Sequence, residues 1–200
     1  MIAIIDYGMG NLRSVQKAFE FVGFDAQITD SKKKIGEASH IVLPGVGAIA
    51  DAMKNLEQRG LVGEIKRQIK AGKYFLGICL GMQLMLEKSY ENGQYECMSL
   101  IKGEVVPFDV QNLRVPHMCW NTLKIKDNEL FCTTQKEQFV YFVHSYHAQN
   151  VPQENILATT NYGYDFVSAI QKDNMYGLQF HPEKSGETGL AMMKNFGGLK

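Results

Sequence analysis

Strand-like and helix-like segments alternate through the first half of the chain, and this alternation restricts the fold more than any other feature of the sequence. Runs rich in Ile, Val and Phe have the length and composition of strands at 2–6, 26–29, 40–45 and 73–78. Segments with apolar residues at helical spacing lie between or after them, at 11–24, 48–60, 61–72 and 80–88. Because strand–helix–strand units of this kind build parallel sheets covered by helices, the sequence predicts an α/β fold.

The second half of the chain contains shorter alternating segments, which predict further strands, some of them antiparallel. They lie around 101–106, 122–126, 139–143, 156–160, 166–171 and 175–180, and a last helix begins near Glu187. Residues 87–99 and 107–119 show no clean period and are compatible with surface loops. No repeat or linker divides the chain. We therefore predict one domain over residues 1–200, with a mixed, mostly parallel central sheet flanked by helices.

The charge and hydropathy patterns argue against nucleic acid or a membrane as a partner. Lys plus Arg and Asp plus Glu number 21 each, so the formal net charge is zero. The densest basic run, residues 32–34, is short and lacks interleaved aromatic residues, so it predicts a solvated face. The longest nearly apolar run, 74–86, is shorter than the roughly 20 residues that cross a bilayer, and it contains Gln83.

The cysteine pattern predicts a reduced protein without a structural metal. No C-x-x-C pair occurs among the four cysteines, which are Cys79, Cys97, Cys119 and Cys132. His144 and His147 lack a Cys or carboxylate partner at ligand spacing, so a zinc site is not predicted. The opening segment MIAIIDYG has no basic region ahead of its apolar residues, which argues against an export signal. We expect a cytoplasmic location and no cofactor.

One of these cysteines stands in a pattern that favours catalysis. Residues 77–81 read GICLG and lie between a predicted strand and a predicted helix, where a nucleophile elbow occurs. The two glycines tolerate the crowding of a sharp turn, and a helix N-terminus favours the thiolate of Cys79. The alternative is an inert buried cysteine that packs as a small hydrophobic residue. A general base elsewhere in the chain would favour the catalytic interpretation over the inert one.

His181, in the segment QFHPEKSG, is the histidine with the most distinctive surroundings. Pro182 favours an extended conformation for His181, so His181 and Glu183 are predicted to share one face at the end of a strand. A carboxylate can hold one imidazole N–H while the other nitrogen exchanges a proton with a thiol. The alternative is an exposed ion pair at a turn. With Cys79, the pair predicts a triad for acyl transfer.

An acyl-transfer site also needs N–H groups that stabilise the oxyanion. Leu80, next to the nucleophile, provides one candidate. The segment LPGVGA at 43–48 provides another, because the backbone at Gly45 and Gly47 can turn an amide toward a ligand; a tight turn is the alternative. Gln83 lies one helical turn beyond Cys79 and is either a contact for a polar substrate or an ordinary helix residue.

Three of these motifs together, PGVGA, LGICLGMQLM and QFHPEKSG in that order, resemble the class I (triad) glutamine amidotransferases. More narrowly, the chain looks similar to the glutaminase subunits of imidazole glycerol phosphate synthase. That similarity rests on DYGMGNL (6–12), PHMCWN (116–121), YFVHSY (141–146) and HPEKSG (181–186). These motifs span nearly the whole chain, and the resemblance implies the class I glutamine amidotransferase fold over residues 1–200.

The resemblance also implies a reaction in histidine biosynthesis. L-glutamine is hydrolysed to glutamate without a cofactor, and the ammonia passes to a TIM-barrel cyclase subunit, the partner in a heterodimer. The cyclase then forms imidazole glycerol phosphate and AICAR. By this resemblance Cys79 attacks the side-chain amide, His181 moves the proton and Glu183 orients His181.

The remaining family positions concern the pocket and the partner. The resemblance implies oxyanion amides at Gly47 and Leu80. It implies contacts with the bound glutamine at Gln83, Ser145 and Tyr146. The positions implied to face the cyclase are Asn11, Trp120, Tyr141 and Lys184.

One residue departs from the family pattern. The family usually reads PHMGWN, and this chain has Cys119 where the glycine stands. A side chain there bears on the local backbone and on the placement of Trp120. A second interpretation is therefore a paralogous glutaminase that supplies ammonia to another synthase, for example one that amidates a surface sugar. A third is a non-catalytic regulatory module, against which the complete set of Cys79, His181 and Glu183 argues.

Overall fold

The structure is a computed structural model that describes residues 1–131 and 138–200, so Cys132 lies outside the described residues. The described strands are β1 (Ile2–Ile5), β2 (Ala26–Thr29), β3 (His40–Gly45), β4 (Tyr74–Cys79), β5 (Lys88–Ser89), β6 (Tyr95–Glu96), β7 (Glu104–Pro107), β8 (His117–Thr122), β9 (Lys124–Ile125), β10 (Phe139–His144), β11 (Tyr146–Gln149), β12 (Ile156–Tyr162), β13 (Tyr164–Lys172) and β14 (Met175–Leu178). The helices are α1 (Leu12–Phe21), α2 (Lys32–Glu37), α3 (Ile49–Gln58), α4 (Leu61–Lys70), α5 (Leu80–Gln83) and α6 (Gly186–Gly197). Short 3₁₀ turns occur at Glu129–Phe131, Gln153–Asn155 and Pro182–Lys184. Over 1–131 and 138–200, no helix has the length and apolar composition needed to cross a membrane.

Five parallel strands in the order β2-β1-β3-β4-β14 form one part of the sheet; the first four come from the first half of the chain and β14 comes from the second. Side chains of β1 alternate between the faces, with Ala3 and Ile5 in one buried cluster and Ile2 and Ile4 in the other. Helices α2, α3 and α4 pack on the first face, and α1 and α6 pack on the second. The predicted mixed sheet flanked by helices is confirmed.

The second half of the chain extends this sheet with antiparallel strands. β13 pairs with β14, β12 and β11, and β11 pairs in turn with β7. β8 and β10 form a separate antiparallel pair, in which Trp120 lies opposite Tyr141. The loop between β10 and β11 then lies beside the carboxyl end of β4, where Cys79 and Ser145 line one cavity.

The helix predicted over 80–88 is wrong beyond Gln83, where α5 ends. Leu84, Met85 and Leu86 follow in turns, and all three side chains are fully buried. Their carbonyl oxygens accept hydrogen bonds from N–H groups of residues 98–101, so tertiary contacts replace the helical ladder. A run that is apolar at every position carries no period that separates a helix from other buried backbone.

Other predicted segments differ from the observed strands and helices in their bounds. The aperiodic stretch 107–119 contains the start of β8, 87–99 contains β5 and β6, and the strand predicted over 122–126 is divided between β8 and β9. Helix α2 is not predicted, because it has a single buried residue, Ile35, behind exposed lysines and so shows no helical period. The side chain of Ser31 caps this helix by accepting the N–H of Lys34. The strands predicted within 139–171 and the helix predicted from Glu187 are confirmed.

Candidate active site

The elbow predicted around Cys79 is present at the carboxyl end of β4. Cys79 ends β4 and directly precedes α5. Its backbone has φ +54 and ψ −108, a conformation that residues other than glycine rarely adopt and that costs about 1–3 kcal/mol. Such strain persists only where the surrounding structure imposes it, and it clusters at functional sites. The conformation favours a constrained nucleophile over an incidental core cysteine.

Glycines make this turn possible. A Cβ on Gly81 would lie 1.8 Å from the carbonyl oxygen of Leu43, and a Cβ on Gly77 would lie 2.5 Å from that of Gly81. Gly45 of β3 is similarly enclosed, since its Cβ would lie 2.8 Å from the Cβ of Leu80. The steric role predicted for the glycines around Cys79 is confirmed.

His181 and Glu183 form a buried pair. His181 Nδ1 lies 2.9 Å from Glu183 Oε1, and the two side chains are 2% and 1% exposed. The strand predicted over 175–180 ends at Leu178, and Glu183 lies in a 3₁₀ turn. The side chains therefore meet through this turn, so the prediction that they share one strand face is wrong although the contact is present. Burial also excludes the exposed ion pair.

Neighbouring groups keep the His181 imidazole protonated. Burial lowers its pKa, but hydrogen bonding to Cys79 and to Glu183, with the negative charge of each, raises the pKa to about 10. Because Nδ1 faces Glu183, the buried Nε2 is the nitrogen available to the thiol. At neutral pH we expect the imidazolium form of His181 beside the sulfur, where its Nε2 proton can be exchanged with the nucleophile or the substrate.

A glutamine that the sequence patterns do not single out also contacts the nucleophile. Gln179 is fully buried, and its Nε2 lies 3.8 Å from the Sγ of Cys79. Gln179 Oε1 accepts a hydrogen bond from Gln83 Nε2 at 3.0 Å. Gln179 belongs to the same QFHPEKSG segment as His181, but only the fold shows that its amide is directed at the sulfur.

A cavity of about 380 Å³ lies beside Cys79. All the residues predicted to contact substrate or oxyanion line it, namely Gly47, Leu80, Gln83, Ser145 and Tyr146. Its volume lies in the lower part of the range of small-molecule sites. The structure therefore brings the predicted pocket residues together around the nucleophile.

Glu91 is a cavity residue that the sequence patterns do not indicate. It is the sole carboxylate among the described residues that line the cavity. Its Oε2 accepts the N–H of Ile49 at 2.7 Å, at the first turn of α3. Because Glu91 lies in the aperiodic stretch 87–99, no local signal predicts its position.

Backbone geometry at the two predicted oxyanion donors suits that role. Gly47 has φ +99, a backbone conformation that disfavours any side chain. Leu80 begins α5 directly after Cys79, and N–H groups of a first helical turn have no partner within the helix. Both residues border the cavity.

Most residues predicted to face a partner lie near His181. Trp120 and Tyr141 are paired across β8 and β10 with ring centroids 6.1 Å apart, and the carbonyl of Tyr141 accepts the N–H of His181 at 3.0 Å. Trp120 is 52% exposed, and Lys184 is exposed. Asn11 directly precedes α1, which contacts the turn that holds Lys184. The exposed Trp120 is therefore connected to His181 through Tyr141.

Cys119 lies within β8, opposite Phe142, and does not have a positive φ. The strand conformation at this position suits any residue, so the cysteine imposes no change on the neighbouring Trp120. The departure from the PHMGWN pattern therefore gives no structural support to a different acceptor.

His144 and His147 are engaged in hydrogen bonds with protein groups. His144 bonds to His117 and to the carbonyl of Tyr146, and His147 bonds to Tyr164. Over 1–131 and 138–200, no three His, Cys, Asp or Glu side chains are grouped so as to hold a metal ion.

Comparison with protein families agrees with this geometry. The family model for "Glutamine amidotransferase class-I" matches residues 3–197. The chain belongs to the class I glutamine amidotransferases. A solved structure described as a glutamine amidotransferase superposes with a TM-score of 0.78 over 100% of both chains at 15% identity. A chain of PurLQS from Thermotoga maritima gives 0.76 at 20% identity and covers 98% of this chain and 96% of that one.

Curated relatives of this amidotransferase extend over its whole length. The imidazole glycerol phosphate synthase subunit HisH of Caldanaerobacter subterraneus is 51% identical over 200 residues, covering 100% of this chain and 98% of that protein. The subunit of the same name from Geobacter sulfurreducens is 52% identical over 206 residues, with 100% and 99% covered. That of Aquifex aeolicus is 49% identical over 195 residues, with 96% and 94% covered.

Proposed function

We propose that this amidotransferase is the glutaminase subunit of imidazole glycerol phosphate synthase. It hydrolyses L-glutamine to glutamate in the cytoplasm and passes the ammonia to a cyclase subunit of histidine biosynthesis. The observation that carries the chemistry is the strained elbow of Cys79 beside the buried pair of His181 and Glu183. Identities of 51% and 52% with subunits of this name support the choice of synthase. Residues 1–200 act as one glutamine amidotransferase domain.

The first half of the reaction releases ammonia. The thiolate of Cys79 attacks the side-chain amide carbon, and the N–H groups of Leu80 and Gly47 stabilise the oxyanion. The imidazolium of His181 gives its proton to the amide nitrogen, the C–N bond breaks, and ammonia leaves a thioester on Cys79. Glu183 keeps the imidazole oriented throughout.

The second half restores the free enzyme. Neutral His181 takes a proton from a water molecule whose oxygen attacks the thioester carbon. The tetrahedral intermediate collapses, the C–S bond breaks, and the thiolate of Cys79 again faces an imidazolium. The new carboxyl group of glutamate releases its proton to solvent. Side chains and water supply every proton, so these steps require neither metal nor cofactor.

Direct transfer of ammonia gives a physical reason for the partner. In bulk water near neutral pH, ammonia becomes ammonium, which is not a nucleophile, so a closed path preserves its reactivity. Tyr141 joins Trp120 by ring contact and His181 by a backbone hydrogen bond, which supports a partner surface next to the triad. We assign the cyclase contacts to Asn11, Trp120, Tyr141 and Lys184.

Reconstitution of the synthase tests this function. The purified chain is mixed with the cyclase subunit and the phosphoribosyl-formimino carboxamide nucleotide, and glutamine is compared with ammonia as nitrogen source. We expect glutamine to support synthesis and its hydrolysis to rise when the cyclase holds its nucleotide. Efficient coupling only to a different synthase would overturn the histidine-pathway assignment. Absence of glutamine hydrolysis in every complex would overturn the glutaminase assignment.

Glu91→Gln is expected to raise the KM for glutamine about 10- to 100-fold, because a hydrogen bond with a charged partner is worth roughly 1.5–3 kcal/mol. The carboxylate of Glu91 is placed to bind the α-ammonium group of the substrate. Glutamine at this position retains an acceptor for the N–H of Ile49, so the first turn of α3 keeps its cap. Steady-state kinetics of the synthase measure the change, with Glu96→Gln in the exposed β6 as control. An unaltered KM would show that Glu91 does not bind the ammonium group.

A further inference from the structure

Two buried histidines connect the strand that carries Trp120 to the glutamine cavity. His117 of β8 and His144 of β10 lie opposite each other and are 0% and 6% exposed. His117 Nδ1 and His144 Nε2 are 3.0 Å apart. The mechanism above uses neither side chain, although His144 lines the cavity. What the two rings do depends on which nitrogen of each carries the proton.

The amide of Asn121 determines the proton position on His117. Asn121 Oδ1 accepts the N–H of Thr122 at 2.8 Å, and Nδ2 donates to the carbonyl of Asn161 at 2.9 Å, so the two ends of the amide are distinguished. Nδ2 also lies 3.3 Å from His117 Nε2. A donor at that position requires Nε2 to accept. The neutral His117 ring therefore carries its proton on Nδ1.

The same reasoning extends to His144. The Nδ1–H of His117 is directed at His144 Nε2, which must accept it. His144 then carries its proton on Nδ1, and the carbonyl oxygen of Tyr146, which can only accept, lies 2.8 Å from that nitrogen. Every donor from Asn121 to Tyr146 meets an acceptor, so one arrangement of protons satisfies the whole chain.

Burial and ring packing keep both histidines neutral and in place. Burial lowers the pKa of His117 to about 4, and burial, with nearby histidines adding, lowers the pKa of His144 to about 3. The ring of His117 lies between Phe142, at a centroid distance of 4.7 Å, and Tyr162, at 4.1 Å. Since each ring holds one proton at neutral pH, the tautomer alone decides the direction of the hydrogen bonds.

The Tyr146 carbonyl is the point where this chain of hydrogen bonds meets the active site. Besides His144, it accepts a hydrogen bond from Gln83 Nε2 at 3.0 Å. The same nitrogen donates to Gln179 Oε1 at 3.0 Å, so both amide hydrogens of Gln83 are engaged. Gln83 is left with its Oε1, an acceptor, for a ligand in the cavity.

We propose that His117 and His144 are positioning residues for glutamine hydrolysis. As Nδ1–H tautomers they hold the Tyr146 carbonyl, and that carbonyl keeps Gln83 turned with Oε1 toward the substrate. The inference rests on the proposed function, because it deepens the account of how that site selects glutamine. An acceptor at Gln83 attracts the N–H groups of the glutamine amide and repels the carboxylate of the product glutamate.

Nitrogen NMR of the full chain tests the tautomers without any assay of activity. Protein labelled with ¹⁵N-histidine is examined by long-range ¹H–¹⁵N correlation at neutral pH, and signals are assigned with His117→Gln and His144→Gln. We expect protonated Nδ1 and unprotonated Nε2 on both rings, whereas free imidazole side chains in water favour Nε2–H. Even without the variants, at least three histidines must show this pattern, because His147 Nδ1 also faces a carbonyl oxygen. An Nε2–H or doubly protonated ring at His117 or His144 would overturn the proposal.

Asn121→Asp tests whether the tautomers matter for the reaction. The aspartate has nearly the same shape but presents only acceptors to His117 Nε2, which reverses both tautomers and leaves His144 Nδ1 unprotonated against the Tyr146 carbonyl. In the complex with the cyclase we expect the KM for glutamine to rise about tenfold, the equivalent of one hydrogen bond between uncharged groups, while kcat changes much less. The ratio of the inhibition constant for glutamate to the KM for glutamine should fall in this variant.

Asn112→Asp is the matched control, because it makes the same change at an exposed position that does not line the cavity beside Cys79. Ammonia-dependent synthesis should remain unchanged in both variants. Reversed tautomers in the Asn121→Asp spectrum with an unaltered KM would overturn the positioning role. Such a result in an active complex differs from failure of the proposed function, which would appear as absence of glutamine hydrolysis in the unmodified complex.

Discussion

Replacing Cys79 by alanine is expected to abolish synthesis from glutamine in the complex with the cyclase and to leave synthesis from ammonia intact. The thiolate forms the covalent intermediate, so its removal should lower glutamine-dependent turnover by at least about a thousandfold. The cyclase needs only the ammonia, which can be supplied from solution. Steady-state rates with each nitrogen source, measured on the same preparation, separate the two effects.

Cys97→Ala is the control for the loss of a buried thiol. Cys97 is as buried as Cys79, but burial, with Glu96 and Glu91 adding, raises its pKa to about 12, so it is expected to stay a thiol. We expect the glutamine-dependent rate of this variant to stay within about threefold of the parent, as for a substitution away from the reacting atoms. Full glutamine-dependent turnover in Cys79→Ala would disprove the covalent mechanism.

Gly81→Ala is expected to have the largest effect on stability. Its Cβ would lie 1.8 Å from the Leu43 carbonyl oxygen and 2.9 Å from the carbonyl carbon, both backbone atoms of β3. The elbow and β3 must separate to admit a methyl group, and strain of this kind places the substitution among those that cost more than about 4 kcal/mol. Chemical denaturation followed by circular dichroism measures the loss, which can extend to failure to fold.

Gly63→Ala is the matched control for adding a methyl group. Gly63 lies in α4 and does not have a positive φ, and a Cβ added there would meet no neighbouring atom within 4 Å. Alanine in a helix is favoured over glycine by up to about 1 kcal/mol, so this variant should be slightly more stable than the parent. Equal stability of the Gly81→Ala and Gly63→Ala variants would show that the elbow is not held as tightly as the contacts indicate.

The features that the sequence predicts correctly depend on residues that lie close together in the chain. An elbow needs a strand, a small turn and a helix start within a few residues, so the spacing of Gly77, Cys79 and Gly81 is visible in the chain itself. The central parallel strands β1, β3, β4 and β14 are equally local, because each is a short, mostly apolar run that is buried on both faces. Helix α5 shows the limit: an apolar run indicates burial, but it does not show where the backbone leaves the helix.

The residues that the patterns missed act through partners far away in the chain. Glu91 reaches the first turn of α3 from 42 residues away, and Gln179 reaches Cys79 from 100 residues away. No local pattern assigns a chemical role to either side chain, although Gln179 lies in the same segment as His181. Their roles depend on the packing of the second half of the chain around the end of β4.

The chemical identity of the site is readable in the chain: a cysteine between glycines, a histidine followed by a carboxylate, and a glycine-rich turn after another strand. The charge and hydrogen bonding of these groups depend on the tertiary structure. The 3₁₀ turn brings Glu183 to His181, burial and the thiol set the protonation of the imidazole, and the pairing of β8 with β10 places His117 against His144. Charge and hydrogen-bond direction depend on distances between atoms, and those distances exist only once the strands have assembled.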